Sequence, residues 1–318
     1  ALHRREPCCK IGRDRERETI EWIRMRPAGQ PQPNNDGFAR RVPLCSVEWK
    51  AWLPRVVGRV VGIGCAFGSA IGCEPTVVIG TRVCPTTEMT DGAAPDADVA
   101  VPLTWSNGFE NGFCDYTQPL RFCFANGSGT YSLVTSPVHS GRYAAAFSLV
   151  AGSDGGSEAR CAEQGVFPAA AYYGAWYYIP EPAVNNGNWN LLYFQGGVPP
   201  PTTQTPSNIW DVSLQNQSDG GLHMVVLEYL SALGTVNSSA APAIPIAQWF
   251  HLEVYFKRAK DATGEFSVWQ DGVLAVHLTN VATDNTNWGQ WFIGNQATAL
   301  SPAASTVYVD DITTGPAP

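Results

Sequence analysis

Basic side chains are scarce over most of this 318-residue chain. Residues 73–318 hold seven Lys and Arg against 21 Asp and Glu, a formal charge of −14. A segment that acidic has no electrostatic footprint for nucleic acid, and it is poorly suited to gripping strongly anionic polymers. Charged residues make up only 15% of the chain, too few for an acidic disordered tail or a coiled coil. The uncharged stretch 60–72 has 13 residues, short of the roughly 20 that span a bilayer. Several catalytic signatures are missing too. There is no GxSxG, no Walker loop and no HExxH. Neither Glu-x-Asp-x-x-Glu nor Glu-x-Asp-x-Glu occurs, so no single strand offers the carboxylate pair of retaining glycoside hydrolysis. No two cysteines after residue 73 have CxxC spacing, which argues against zinc.

What is present divides the chain by composition. Residues 1–50 mix Arg, Glu, Pro and Gln without a sustained period and read as an unstructured leader, part of it upstream of the native start. Residues 51–73 have the layout of a secretory signal: Arg55 and Arg59, a short apolar stretch, small residues, then a cut. Ala70-Ile71-Gly72-Cys73 resembles the lipobox of bacterial lipoproteins, which implies acylation of Cys73. The competing reading of this stretch is a buried strand or helix of a cytosolic protein. Residues 74–103, rich in Pro, Thr, Ala and Asp, read as a flexible tether. Cys84, Cys114, Cys123 and Cys161 follow, an even number that suggests two disulfides in an exported chain. Three connectivities exist. The short loop 114–123 favours Cys114–Cys123, leaving Cys84–Cys161.

Residues 104–318 read as one all-β domain. The 31 Gly and 24 Pro disfavour long helices. About a dozen short β-branched and aromatic segments recur, among them AYYGAWYYI (171–179), WNLLYFQ (189–195), IWDVSL (209–214), WFHLEVYF (249–256) and STVYVDDI (305–312). That number of strands suits a two-sheet antiparallel jelly-roll sandwich. Period two assigns faces. Asp211, Ser213 and Gln215 share one side of their strand, and Trp189, Tyr193 and Gln195 share one side of theirs. If the two strands are neighbours, these six residues line an aromatic and amide groove suited to a polysaccharide. Rings cover the apolar faces of sugars, while amides and carboxylates take the hydroxyls.

Two end motifs add a resemblance. NGFENGFCDY (107–116) and VYVDDITT (307–314) are similar to the opening and closing strands of concanavalin A-like jelly rolls, including laminin-G-like and MAM-type modules. The resemblance implies a structural calcium held by Glu110, Asp310 and Asp311, chemistry that hard carboxylate oxygens suit. The middle of the chain is similar to jelly-roll polysaccharide lyases, through ARCAEQG (159–165), LYFQGG (192–197) and QWFIGNQ (290–296). That likeness implies catalytic roles for Arg160 and Gln195. The pattern departs where such lyases carry a His beside the Gln and a Tyr on the last strand; here that strand has Trp291 and Phe292. His139, in the turn SPVHSGRY (136–143), is the remaining candidate for a base.

Three functions fit these readings. The first is an exported, surface-associated carbohydrate-binding module that recognises a polysaccharide or cell-surface glycan. The second is a polysaccharide lyase acting by β-elimination, and the third a structural cell-envelope protein without a glycan ligand. None involves nucleic acid or an organic cofactor, and the membrane enters only through a lipid anchor at Cys73.

Overall fold

The computed structural model describes Cys84 and residues 100–117, 120–151, 156–197, 209–229, 234–237, 241–284 and 288–316. The leader, the signal and Cys73 lie outside the described residues. In chain order the strands are β1 (Trp105–Asn107), β2 (Arg121–Asn126), β3 (Thr130–Val134), β4 (Ala144–Val150), β5 (Ser157–Val166) and β6 (Ala170–Tyr178). Then come β7 (Val184–Asn185), β8 (Trp189–Gly197), β9 (Ile209–Asn216), β10 (Leu222–Tyr229), β11 (Gly234–Asn237) and β12 (Trp249–Lys257). The series ends with β13 (Gly264–Gln270), β14 (Val273–Val281), β15 (Trp288–Ala297), β16 (Leu300–Ser301) and β17 (Ala304–Pro316).

Two antiparallel sheets form the expected sandwich of jelly-roll type. One runs β14-β13-β12-β6-β17-β4-β3, with β1 also paired to β17; the other runs β11-β10-β9-β8-β15-β5-β2. Alternation along each strand explains the packing. In β12, Phe250, Leu252, Val254 and Phe256 are buried while Trp249, His251, Glu253 and Tyr255 between them are half-exposed. Rings from the two sheets meet in the core. Phe194 of β8 packs on Phe256 of β12 at 4.7 Å, and Trp210 of β9 stacks on Phe266 of β13 at 4.9 Å between ring centroids. At the edge of the second sheet, Glu163 pairs with Arg121 at 2.6 Å and accepts from the Trp291 indole at 3.0 Å.

The disulfides are Cys84–Cys114 and Cys123–Cys161, which corrects the favoured Cys114–Cys123 and Cys84–Cys161. Proximity in sequence misled because β2 carries Cys123 into the sheet, directly opposite Cys161 of β5. Cys114 stays in a 3-10 turn outside it. Within the stretch expected to be a tether, Cys84 is thus bonded to the domain. Ala100 bridges to Val166, and Val101 is buried.

Candidate functional site

The outer face of the seven-stranded sheet gathers most of the expected groove residues. Strands β8 and β9 are neighbours, and Tyr193 lies directly opposite Asp211. One step further along, Asn190 opposes Ser213, because a bulge separates Asn190 from Leu192. The extra residue shifts the phase of β8. It turns Asn190 outward beside Tyr193 and sends Trp189 inward. Trp189 is therefore a core residue, 0% exposed, with its indole N–H donated to Asn295 Oδ1 at 3.0 Å. Its expected place in the groove is corrected: strict period two holds only where a strand has no bulge. Gln215 lies near the end of β9, exposed and opposite His223. It does not line the central depression.

Arg160 of β5 is the centre of the site. It is opposite Gly294 on β15, and that missing side chain lets the guanidinium cross β15 to reach β8. Gly294 has φ +136, and a Cβ there would sit 2.4 Å from the Ala159 carbonyl oxygen, so only glycine fits. Arg160 Nη2 donates to Asn190 Oδ1 at 2.7 Å and also to Gln296 Oε1. Its Nε lies 3.6 Å from Glu158 Oε2, and its Cζ is 4.4 Å from the centroid of the Tyr193 ring. Tyr193 stacks on Phe292 of β15 at 4.2 Å and donates its hydroxyl to Gln195 Oε1 at 3.2 Å. Beyond Gln195, a row of amides continues across β15 and β5, where Gln290 Nε2 donates to Gln164 Oε1 at 2.6 Å.

Asn188, Asn190, Tyr193, Ile209, Asp211 and Gln296 line a depression of about 250 Å³. Its floor is under-satisfied: Asn190 Nδ2 and Asp211 Oδ1 are buried without a hydrogen-bond partner among the described residues, as is Arg160 Nη1 beneath them. Groups in that state cost free energy unless a water or ligand completes them. Burial pushes the Asp211 carboxyl up to about 7, against the opposing pull of Arg160, Ser213 and Asn188. Burial likewise pushes the Tyr193 phenol up to about 12, with Arg160 opposing. Burial lowers Arg160 from its ordinary value, while Tyr193, Asp211 and Glu158 hold it up. A larger hollow of about 520 Å³ lies on the other sheet, but Glu181 is its only charged lining residue among those described.

His139 is not part of this constellation. It sits on the outer face of the eight-stranded sheet, stacked on Trp176 at 3.8 Å, with Nδ1 2.6 Å from Asp311 Oδ2. The same loop collects the three expected calcium ligands. Glu110 Oε1 accepts from the Arg142 and Tyr143 amides at 2.7 and 3.1 Å. Asp310 Oδ2 accepts from the His139 and Ser140 amides at 2.9 and 3.2 Å, and Asp311 Oδ1 from the Ser140 hydroxyl at 2.8 Å. Among the described residues no group of three His, Cys, Asp or Glu side chains is arranged around one metal position.

Sequence reasoning left Asn190 and Gln296 out of the groove. Gln296 was legible, since Gln290, Phe292 and Gln296 alternate on one side of β15. Asn190 was not, because nothing in WNLLYFQ marks the bulge.

No family model and no curated protein matches the sequence. Solved structures of similar shape include an endo-β-1,4-glucuronan lyase from the fungus Trichoderma reesei, 19% identical, TM-score 0.49, covering 67% of this chain and 95% of that one. The cellulose-induced protein Cip1 is 17% identical, TM-score 0.47, with coverage of 66% and 96%. A marine PL-14 alginate lyase from Aplysia kurodai is 12% identical, TM-score 0.47, with coverage of 67% and 99%. Likeness at this level says nothing of what the present chain acts on.

Proposed function

We propose that the outer face of the seven-stranded sheet binds a polysaccharide, with Arg160, Asn190, Tyr193, Asp211 and Gln296 at its centre. The observation that carries this reading is the under-satisfied floor of an open depression. Its donors and acceptor are the groups that sugar hydroxyls complete, and a row of amides extends the face on one side. Tyr193 has one ring face against Phe292, so its contribution is its edge and hydroxyl rather than a bare stacking plane. The test is a glycan array and calorimetric titration of the purified protein. Asn190→Ala should weaken binding by about 1–3 kcal/mol, as expected for removing a hydrogen-bonding group at a buried site. Unchanged affinity would displace the site.

The lyase reading is favoured by one specific feature: a carboxyl near 7 opposite a phenol, beside a guanidinium. A base poised near neutrality and a protonated hydroxyl are the parts a β-elimination requires. Release of unsaturated uronate, followed by ultraviolet absorbance, separates an eliminating enzyme from a binding module.

Two disulfides are consistent with an oxidising compartment. Export, with a lipid anchor at Cys73, is the corresponding proposal. It is tested by whether Cys73→Ser releases the protein from membranes. Calcium at Glu110, Asp310 and Asp311 is a further proposal, supported by their convergence on the loop 139–143. An ion there would have to displace the loop amides that these carboxylates now accept from. Chelation should then lower the melting temperature of the wild type and leave Glu110→Ala unaffected.

A further inference from the structure

Three charged side chains set the field in the depression, and two of them are acids. Among the described residues there, Arg160 is the single cation. It is 1% exposed, is not among the lining residues, and spends Nη2 on Asn190 and Gln296. Glu158 Oε2 lies 3.6 Å from its Nε. Asp211, 3% exposed, does line the depression. A ligand therefore meets a carboxylate first, with the guanidinium behind it already flanked by a second one.

The unfilled positions sharpen the point. Asp211 Oδ1 lacks a donor and Asn190 Nδ2 lacks an acceptor. A sugar hydroxyl both accepts and donates, so it suits either position once the side chain turns toward the ligand. A uronate carboxylate answers only the amide. It has no proton for Asp211 and brings a like charge beside it, which at short range in a partly buried site is strongly unfavourable. We infer that the depression selects neutral sugars and excludes uronates, with Asp211 as the specificity-determining residue. This rests on the reading that the depression binds a polysaccharide without cleaving it, and it opposes the lyase alternative, whose substrates are uronates.

The charged and titratable groups around Asp211 are few. From β5 there is Arg160, which Glu158 flanks at 3.6 Å, and from β8 Tyr193. From β10 the cross-strand partner is Leu227, and from β15 the nearest lining group is the uncharged Gln296. With its carboxyl near 7, Asp211 is charged above that pH and neutral well below it. Exclusion of uronates is therefore strongest in alkaline buffer and relaxes in acid.

The experiment is affinity electrophoresis of the full chain in gels containing a neutral polysaccharide (β-glucan, mannan or xylan) or a polyglucuronate, at pH 8.5 and 5.5. The expected result is retention by a neutral polymer at both pH values. Retention by polyglucuronate should be at least roughly tenfold weaker at pH 8.5, with the gap narrowing at pH 5.5. Asp211→Asn should close most of the gap at pH 8.5. Glu158→Gln, on a more exposed side chain, should close it in part. Two results overturn the inference: tighter binding of polyglucuronate than of any neutral polymer at pH 8.5, or a ratio that Asp211→Asn, in a folded variant, does not move. Retention by none of the polymers removes the polysaccharide reading itself, and the inference falls with it.

Discussion

Asp211 should make the protein less stable as the pH rises. Its side chain is 3% exposed, and its carboxyl is pushed from an ordinary 3.8 up to about 7, burial outweighing Arg160, Ser213 and Asn188. Between those values the unfolded chain has released a proton that the native chain still holds. Stability therefore falls through this window and is fully penalised above pH 7. Three units at about 1.36 kcal/mol each amount to about 4 kcal/mol. Asp211→Asn keeps the shape and cannot ionise. The variant should match the wild type near pH 4 and exceed it by up to about 4 kcal/mol at pH 8.5, a rise of roughly 8–16 °C for a domain of this size. Thermal melts of both proteins from pH 4 to 9, followed by circular dichroism, measure the difference directly. A difference that does not change with pH, or a variant less stable than the wild type at pH 8.5, would refute the assignment of Asp211 as a buried, strained acid. A destabilising group at the floor of a depression is what a site kept for binding rather than for stability looks like.

Other expectations follow from the packing. Peptide mapping under non-reducing conditions should recover Cys84–Cys114 and Cys123–Cys161. Replacing Cys123 and Cys161 together by Ser opens a loop closed over 38 positions, at a cost of about 4 kcal/mol by loop-closure entropy, read as a lower denaturation midpoint. Gly294→Ala places a Cβ against the backbone of β5 and should cost about 2 kcal/mol or more while also weakening polysaccharide binding; full affinity in a folded variant would show that the crossing of Arg160 is dispensable. Asn295 is 0% exposed and links the sheets, accepting from Trp189 and donating to the Phe147 carbonyl at 3.1 Å. Asn295→Leu strands both partners and should cost about 2–4 kcal/mol in chemical denaturation.

The architecture was legible because it depends on redundant signals. Alternation in WFHLEVYF and IWDVSL, turn residues between segments, and the lack of a helical period all point to the same sandwich, and an error in any one leaves the others standing. The site was legible only in part, because it depends on phase. Tyr193 and Asp211 follow from alternation together with adjacency of consecutive strands. Trp189 and Asn190 exchange roles through one inserted residue, which no side chain in the segment announces. The disulfides failed for a related reason. Pairing follows strand register, and register between β2 and β5 is a tertiary fact. Arg160 could be singled out as scarce, but its path across β15 depends on Gly294, whose purpose appears only when the two strands are side by side.

The position of β17 has a consequence for biosynthesis. This strand, Ala304–Pro316, is not an edge. It is hydrogen-bonded to β4 on one side and β6 on the other, and it also receives β1. Until it emerges from the ribosome, β3 and β4 have no sheet to join, and β6 shows an open edge to the cytosol or to a chaperone. The eight-stranded sheet cannot be completed before β17 is made, because its centre is the last of its strands in chain order. Long-range pairing of this kind slows folding and lengthens the time for which the chain is unfolded. Premature termination before residue 304 would therefore remove the middle of a sheet rather than trim its border, leaving two half-sheets with unpaired edges of the sort that aggregate.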